Sequence, residues 1–271
     1  DESLHRFLPD APIPAGITIR QLLNHTSGLS DYFSCEAYRK AVVAHPDRPW
    51  GYGKLMEAGL AGTPLFPPGE GWAYSNPGYG LLKELIEKIS GQDYHRYIVE
   101  NLLAPAGLHE TRPFLAPDHE LQLLEGEAPE FDGDFRPVYH PGWILPGCFI
   151  STVAGVARIY DALFAEKLVT GPSLHEMMVT VDVLKSSPPS CIPAYGLGLM
   201  HFRLDPLGDA YGHGGGGPGY TTYARHYPDL MGQPFTLSLV LNKSLPQTPF
   251  PLADEIVRLH LSAAAGTGVR A

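Results

Sequence analysis

Up to residue 193 the apolar residues return every three or four positions, the period of a helix buried along one face. Thr18 stands as N-cap before IRQLLNHTSG, where Ile19, Leu22 and Leu23 share a face and Gly28 supplies the stop. CEAYRKAVVAH, residues 35–45, predicts a second short helix. PGYGLLKELIEKIS is amphipathic, with Pro77 at its start and Gly91 just past its end. Asp93 caps the DYHRYIVENLL helix that follows. Residues 105–142 are acidic and loop-rich, Ser151 caps STVAGVARIYDALFAEKL, and SLHEMMV predicts one more turn of helix. Near Ala194 the pattern changes. AYGLGLMHFRL, GYTTYARHY and FTLSLVLN are rich in aromatic and β-branched residues and predict strands, and PLADEIVRLHL closes as a helix. The expected layout is a mostly helical region over 1–193 and an antiparallel sheet with its helix over 194–271.

Composition narrows the partners. The chain has 271 residues, 44% hydrophobic, enough for a substantial core. Twenty-nine acidic against 19 basic residues give a formal charge of -10, and no Lys/Arg-rich run occurs, which argues against nucleic acid. No apolar run is long enough to span a bilayer, and no signal-peptide pattern opens the sequence, so the compartment stays open between periplasm and cytoplasm. Cys35, Cys148 and Cys191 are too few and too scattered for a disulfide framework and read as buried thiols.

Familiar chemistries fail on spacing. The His-Glu pairs at 109, 119 and 175 lack the second histidine of a zinc-protease helix, and no metal or organic cofactor is implied. The run YGHGGGGPGY, residues 211–220, has no Gly-Lys-Ser/Thr to make it a phosphate loop. It looks like a lipase oxyanion segment, but no Gly-x-Ser-x-Gly elbow precedes it.

What remains is an ordered set. Thr18-Ile19-Arg20, Leu22-Leu23 and His25-Thr26-Ser27-Gly28 come first, and Tyr74-Ser75-Asn76 second. Gly147 with Ser151-Thr152 follows, and Gly212-His213 with Gly215-Gly216 comes last. In this order, over essentially the whole chain, they resemble the serine β-lactamase-like family of class C β-lactamases, DD-peptidases, D-aminopeptidases and related esterases. The resemblance implies an α/β fold of the α+β type, with an antiparallel sheet flanked by helices beside a mostly helical region. It implies acyl transfer on an amide, ester or β-lactam of a small molecule or peptide. Tyr74 would relay protons as, or near, a phenolate if cations lower its pKa. Asn76 would orient a lysine and the substrate amide. His213, in the place of the third motif's lysine, would bring a donor and partial positive charge. Gly214, Gly215 and Gly216 would let the strand backbone approach the acyl group, the N–H of Gly216 serving its oxyanion.

Each residue also has a structural reading: Tyr74 as a helix-entry aromatic, Asn76 as an N-cap, His213 as a core histidine, the glycines as a hairpin turn. His25 and Ser27 read as shaping a helix end, and Ser75 as solvent-facing or supporting. The family's nucleophile is missing, because none of the seven lysines, at 40, 54, 83, 88, 167, 185 and 243, has a serine three residues before it. The expectation is a chain that starts after the Ser-x-x-Lys helix and lacks the first strands as well, inactive by itself. The alternative is a non-catalytic member that binds peptidoglycan-like peptides. A missing first strand would leave 235–242 as an open edge, for a homodimer or for the absent N-terminal piece.

Overall fold

Thr18 begins the architecture with a reciprocal capping box. Its side chain accepts from the Gln21 N–H, and the Gln21 side chain accepts from the Thr18 N–H at 2.9 Å. The helix this opens, α1 (Ile19–Leu23), ends earlier than the sequence implies. His25 takes a left-handed backbone (φ 62°) directly after the C-cap Asn24, so the chain turns there. Gly28 (φ 78°) lies in the turn beyond, where a Cβ would run into the Phe66 carbonyl. The computed structural model describes residues 1–62, 64–118, 121, 123–131, 134–183, 194–244 and 249–266. Cys191 lies outside them.

The chain divides into two compact units, the first made of residues 1–122, 136–150 and 181–184. Its helices continue with α2 (Glu36–Ala44), α3 (Tyr52–Leu60), α4 (Asn76–Ser90) and α5 (Tyr94–Ile98), the last running on into a π-helical turn. Helix α4 follows its sequence signals: Pro77 stands in its first turn and Gly91 stops it in the left-handed region. Helix α3 has no counterpart among the elements expected from the sequence. Gly59 is there for contact: a Cβ on it would strike the Pro77 ring of α4. Ile17, Leu22, Tyr32, Leu55, Leu81 and Trp143 lie in one core. Short strands β1 (Arg112–Phe114) and β2 (Cys148–Ile150) pair antiparallel, and β3 spans Val181–Asp182.

The second unit holds residues 123–135, 151–180 and 185–271. Strands β4 (Ala194–Tyr195), β5 (Met200–Leu204), β6 (Gly208–Gly217), β7 (Tyr220–Leu230) and β8 (Gln233–Leu241) follow one another as antiparallel neighbours. The unit reaches back before residue 194, because α6 (Val153–Phe164) packs on β7 and β8. A sheet has two faces, and the helix that covers one need not be close in sequence. Thr152, not Ser151, caps α6, accepting from the Gly155 N–H at 2.9 Å. Helix α7 (Gly171–Met178) and α8 (Phe250–Gly266) complete the unit. Among the described residues β8 has a strand neighbour on one side only, and the chain near Glu127 meets just its end, at Asn242 and Ser244. The result is a mixed α/β fold with an antiparallel sheet flanked by helices.

Candidate active site

The Tyr74-Ser75-Asn76 turn is the entry to α4, and Ser75 makes it. Ser75 is 1% exposed; its Oγ accepts from the Gly78 N–H (3.2 Å) and donates to the Ser30 carbonyl (2.9 Å). Ser75, rather than Asn76, is therefore the N-cap, and it is neither solvent-facing nor idle. His25 holds the turn from beneath. Its carbonyl takes the Ala73 N–H at 3.0 Å, and its Nδ1 takes the Ser75 N–H at 3.1 Å, so Nδ1 carries no proton. Its ring lies against those of Tyr74 and Tyr79, with centroids 4.2 and 5.1 Å away.

Asn76 is 8% exposed and points at Asp31. One carboxylate oxygen of Asp31, Oδ2, accepts both the Asn76 N–H and Nδ2–H, each at 2.8 Å, while Oδ1 accepts the Phe33 N–H at 2.9 Å. Burial raises the Asp31 pKa against the pull of these hydrogen bonds. Tyr74 is 39% exposed, and burial together with the Asp31 charge pushes its phenol up to about 12. The expected phenolate depends on a neighbouring cation, and burial and Asp31 oppose it. Both influences favour the neutral phenol.

His213 and Gly214–Gly216 stand in the second unit, on β6. The glycines are strand, not hairpin turn. Gly214, Gly215 and Gly216 pair with Tyr223, Thr222 and Thr221 of β7. On the other side, pairing with β5 stops at Gly212, so among the described residues the run has one strand partner. A Cβ at Gly216 or Gly217 would meet nothing within 4 Å, whereas one at Gly215 would press on Thr222. His213 Nδ1 lies 2.6 Å from the Gly214 carbonyl, which can only accept, so the proton is on Nδ1. Nε2 then accepts from the Tyr195 hydroxyl at 2.9 Å. Burial lowers the His213 pKa, outweighing the Gly214 hydrogen bond, so the partial positive charge expected from the sequence is corrected to a neutral ring with both nitrogens engaged.

This burial of neutral histidines has a measurable result. His95 and His226 also have pKa values lowered, first by burial. A folded pKa below the unfolded value near 6.5 means that stability is complete above that pH. It is lost as the pH falls, because the unfolded chain then binds more protons. Each such histidine contributes a slope of at most about 1.4 kcal/mol per pH unit. The expected outcome is a urea midpoint that is flat from pH 8 to 7 and falls from pH 6.5 to 5. A midpoint that rises over that interval would contradict the buried neutral rings.

The structure thus brings Tyr74 and Asn76 together in the first unit and His213 with its glycines in the second. Sequence reasoning missed Asp31 and gave His25 only a helix end. Position 25 carried a signal, a histidine where a chain reversal would accept glycine. Asp31 carried none, since its partner is 45 residues away.

The beta-lactamase family model matches residues 1–262. Penicillin-binding protein 4* of Bacillus subtilis (strain 168) is 32% identical over 249 residues, covering 84% of this chain and 52% of that protein. A D-aminopeptidase of Cereibacter sphaeroides (strain ATCC 17023) is 27% identical over 236 residues, covering 84% and 43%. The chain spans about half the length of these relatives. The D-stereospecific amidohydrolase from Streptomyces sp. superposes with a TM-score of 0.78 at 29% identity, over 89% of this chain and 74% of that one. The D-amino acid amidase from Ochrobactrum anthropi SV3 shares the fold, with a TM-score of 0.75 at 24% identity over 97% and 83%.

Proposed function

Because this chain belongs to the beta-lactamase family, we propose that it is the Tyr-x-Asn and glycine-strand portion of a serine hydrolase that cleaves an amide, with D-amino acid amides or peptides as substrate class. The relatives named above, a D-aminopeptidase and a D-stereospecific amidohydrolase, support that class. The observation that carries the reading is the Tyr74–Asn76 turn, held from two sides by His25 and Asp31 far beyond what a helix cap requires.

In this reading Tyr74 passes the proton between the serine, its lysine and the leaving group, and the lysine's charge offsets what Asp31 and burial impose on the phenol. Asn76 orients the substrate. Gly214–Gly216 present backbone along the side of β6 where the described residues pair no strand beyond Gly212, the Gly216 N–H meeting the oxyanion of the tetrahedral intermediate. His213 acts through Gly214, fixing its carbonyl rather than supplying charge. The nucleophile lies outside residues 1–271, and the open edge of β8 receives a strand from the rest of the protein or from a second copy.

Residues 1–271 treated with a fluorophosphonate or a fluorescent penicillin should therefore show no covalent adduct by intact mass. Ser75 supports this, being buried with its Oγ engaged at both ends. A stoichiometric adduct would place the nucleophile inside this chain, at Ser27 or Ser75. The absence of Ser-x-x-Lys also favours a second reading, a ligand-binding member without chemistry. A coding frame upstream of Asp1 that contains Ser-x-x-Lys decides against it.

A further inference from the structure

Three donors converge on two oxygens at Asp31. Phe33 N–H takes Oδ1, and both donors of Asn76 take Oδ2, at 2.8–2.9 Å. Capping the short helix at Tyr32–Ser34 accounts for Oδ1 alone. An N-cap needs one acceptor, and serine or asparagine would supply it. The second oxygen does something else. It engages the side-chain nitrogen of Asn76, and a side-chain amide has only one end that donates. With Nδ2 committed to a carboxylate, the amide cannot turn over without setting its carbonyl against negative charge. The Asn76 main-chain N–H, bound to the same oxygen, fixes the position of that oxygen as well.

We propose that Asp31 is a positioning residue that locks the Asn76 amide with its carbonyl oxygen directed away from the carboxylate, so that the site reads a hydrogen-bond donor of the ligand, such as the amino group of an amino acid amide. This rests on the assignment of Asn76 to the substrate site made above. Asparagine at position 31 could not do the same. One of its two atoms must be the donor NH₂, which faces either Phe33 N–H or the Asn76 pair, and one of those contacts is lost. Serine at 31 would retain the cap on Phe33 but could not reach Asn76.

The test uses residues 1–271 and two probes, D-phenylalanine amide and 3-phenylpropanamide, which differ in the amino group. Calorimetric titration of the wild type should favour the amino-bearing probe by about tenfold or more, the worth of one charged hydrogen bond. Asp31→Ser should abolish that preference and Asp31→Asn weaken it, with exchange of the Asn76 Nδ2 protons, followed by ¹⁵N NMR, faster by about tenfold in Asp31→Ser as their charged acceptor is lost. A merely structural Asp31 would weaken both probes equally and leave the preference intact, which overturns the proposal. If neither probe binds, the amide-hydrolase reading fails. The exchange of the Asn76 amide still decides whether Asp31 holds it, since unchanged exchange in a folded Asp31→Ser variant refutes the lock. Should Asp31→Asn not fold, Asp31→Ser, which keeps the helix cap, carries both measurements.

Discussion

Tyr74→Phe should lower kcat by about 10²–10⁴ in an enzyme that joins this chain to a Ser-x-x-Lys segment, the usual span for a positioned acid or base. The hydroxyl is the only atom removed. The ring stays on the His25 ring, 4.2 Å away, and Ser75 still caps α4. Stability should change by no more than about 1 kcal/mol, the net worth of one hydroxyl. The phenol's pKa of about 12 in this chain sharpens the test. A group so far above neutral is a donor at rest and becomes a base only when a cation stands beside it. The Phe variant should therefore lose kcat far more than it raises KM, because the proton moves only in the transition state. Activity on a D-amino acid amide, read with thermal unfolding on the same samples, gives the answer. A Phe variant that keeps its kcat would make Tyr74 a helix-entry aromatic and nothing more.

The same turn shows what the sequence could and could not disclose. Tyr74 and Asn76 were legible as a motif, and α4 behind them as a helix, because Pro77 and Gly91 are local signals that need no partner. Helix α1 was overextended because the left-handed backbone at His25 is imposed by what its ring and carbonyl hold, not by its own preference. Strand β6 was legible only through the resemblance, because its glycines weaken strand propensity while serving a close approach. The charge state of His213 was misjudged because burial, which sequence does not report, decides it. Asp31 is the extreme case. Its role depends on two segments meeting across 45 residues, and no periodicity encodes that.

Arg225 was equally invisible, read only as one residue of a strand, and breaking its ion pair from the Asp254 side should be the largest stability effect in the second unit. It is 1% exposed on β7, where Arg is almost never buried unless paired. Its Nε donates to the Tyr223 hydroxyl (2.6 Å), and one terminal nitrogen donates to Tyr227 (2.9 Å) and to Asp254 of α8 (2.7 Å). Phe202 and Phe250 place their rings 4.8 and 6.0 Å from the guanidinium carbon. One cation thus ties β7 to α8 through a cage of rings. Removing its counter-charge strands a buried charge, whereas removing the cation frees Asp254, already 26% exposed, to turn to water. Asp254→Ala should therefore cost about 3–5 kcal/mol, the range for breaking a buried pair by one partner. Arg225→Met should cost less, about 1–3 kcal/mol, as two tyrosine hydroxyls lose a partner while the volume stays filled. Since β7 also pairs with Gly214–Gly216, the damage should reach the glycine strand as faster amide exchange there. Urea unfolding of the two variants decides the order. If Arg225→Met proves the more damaging, the cage is held by its cation–ring contacts, and the ion pair with Asp254 is incidental.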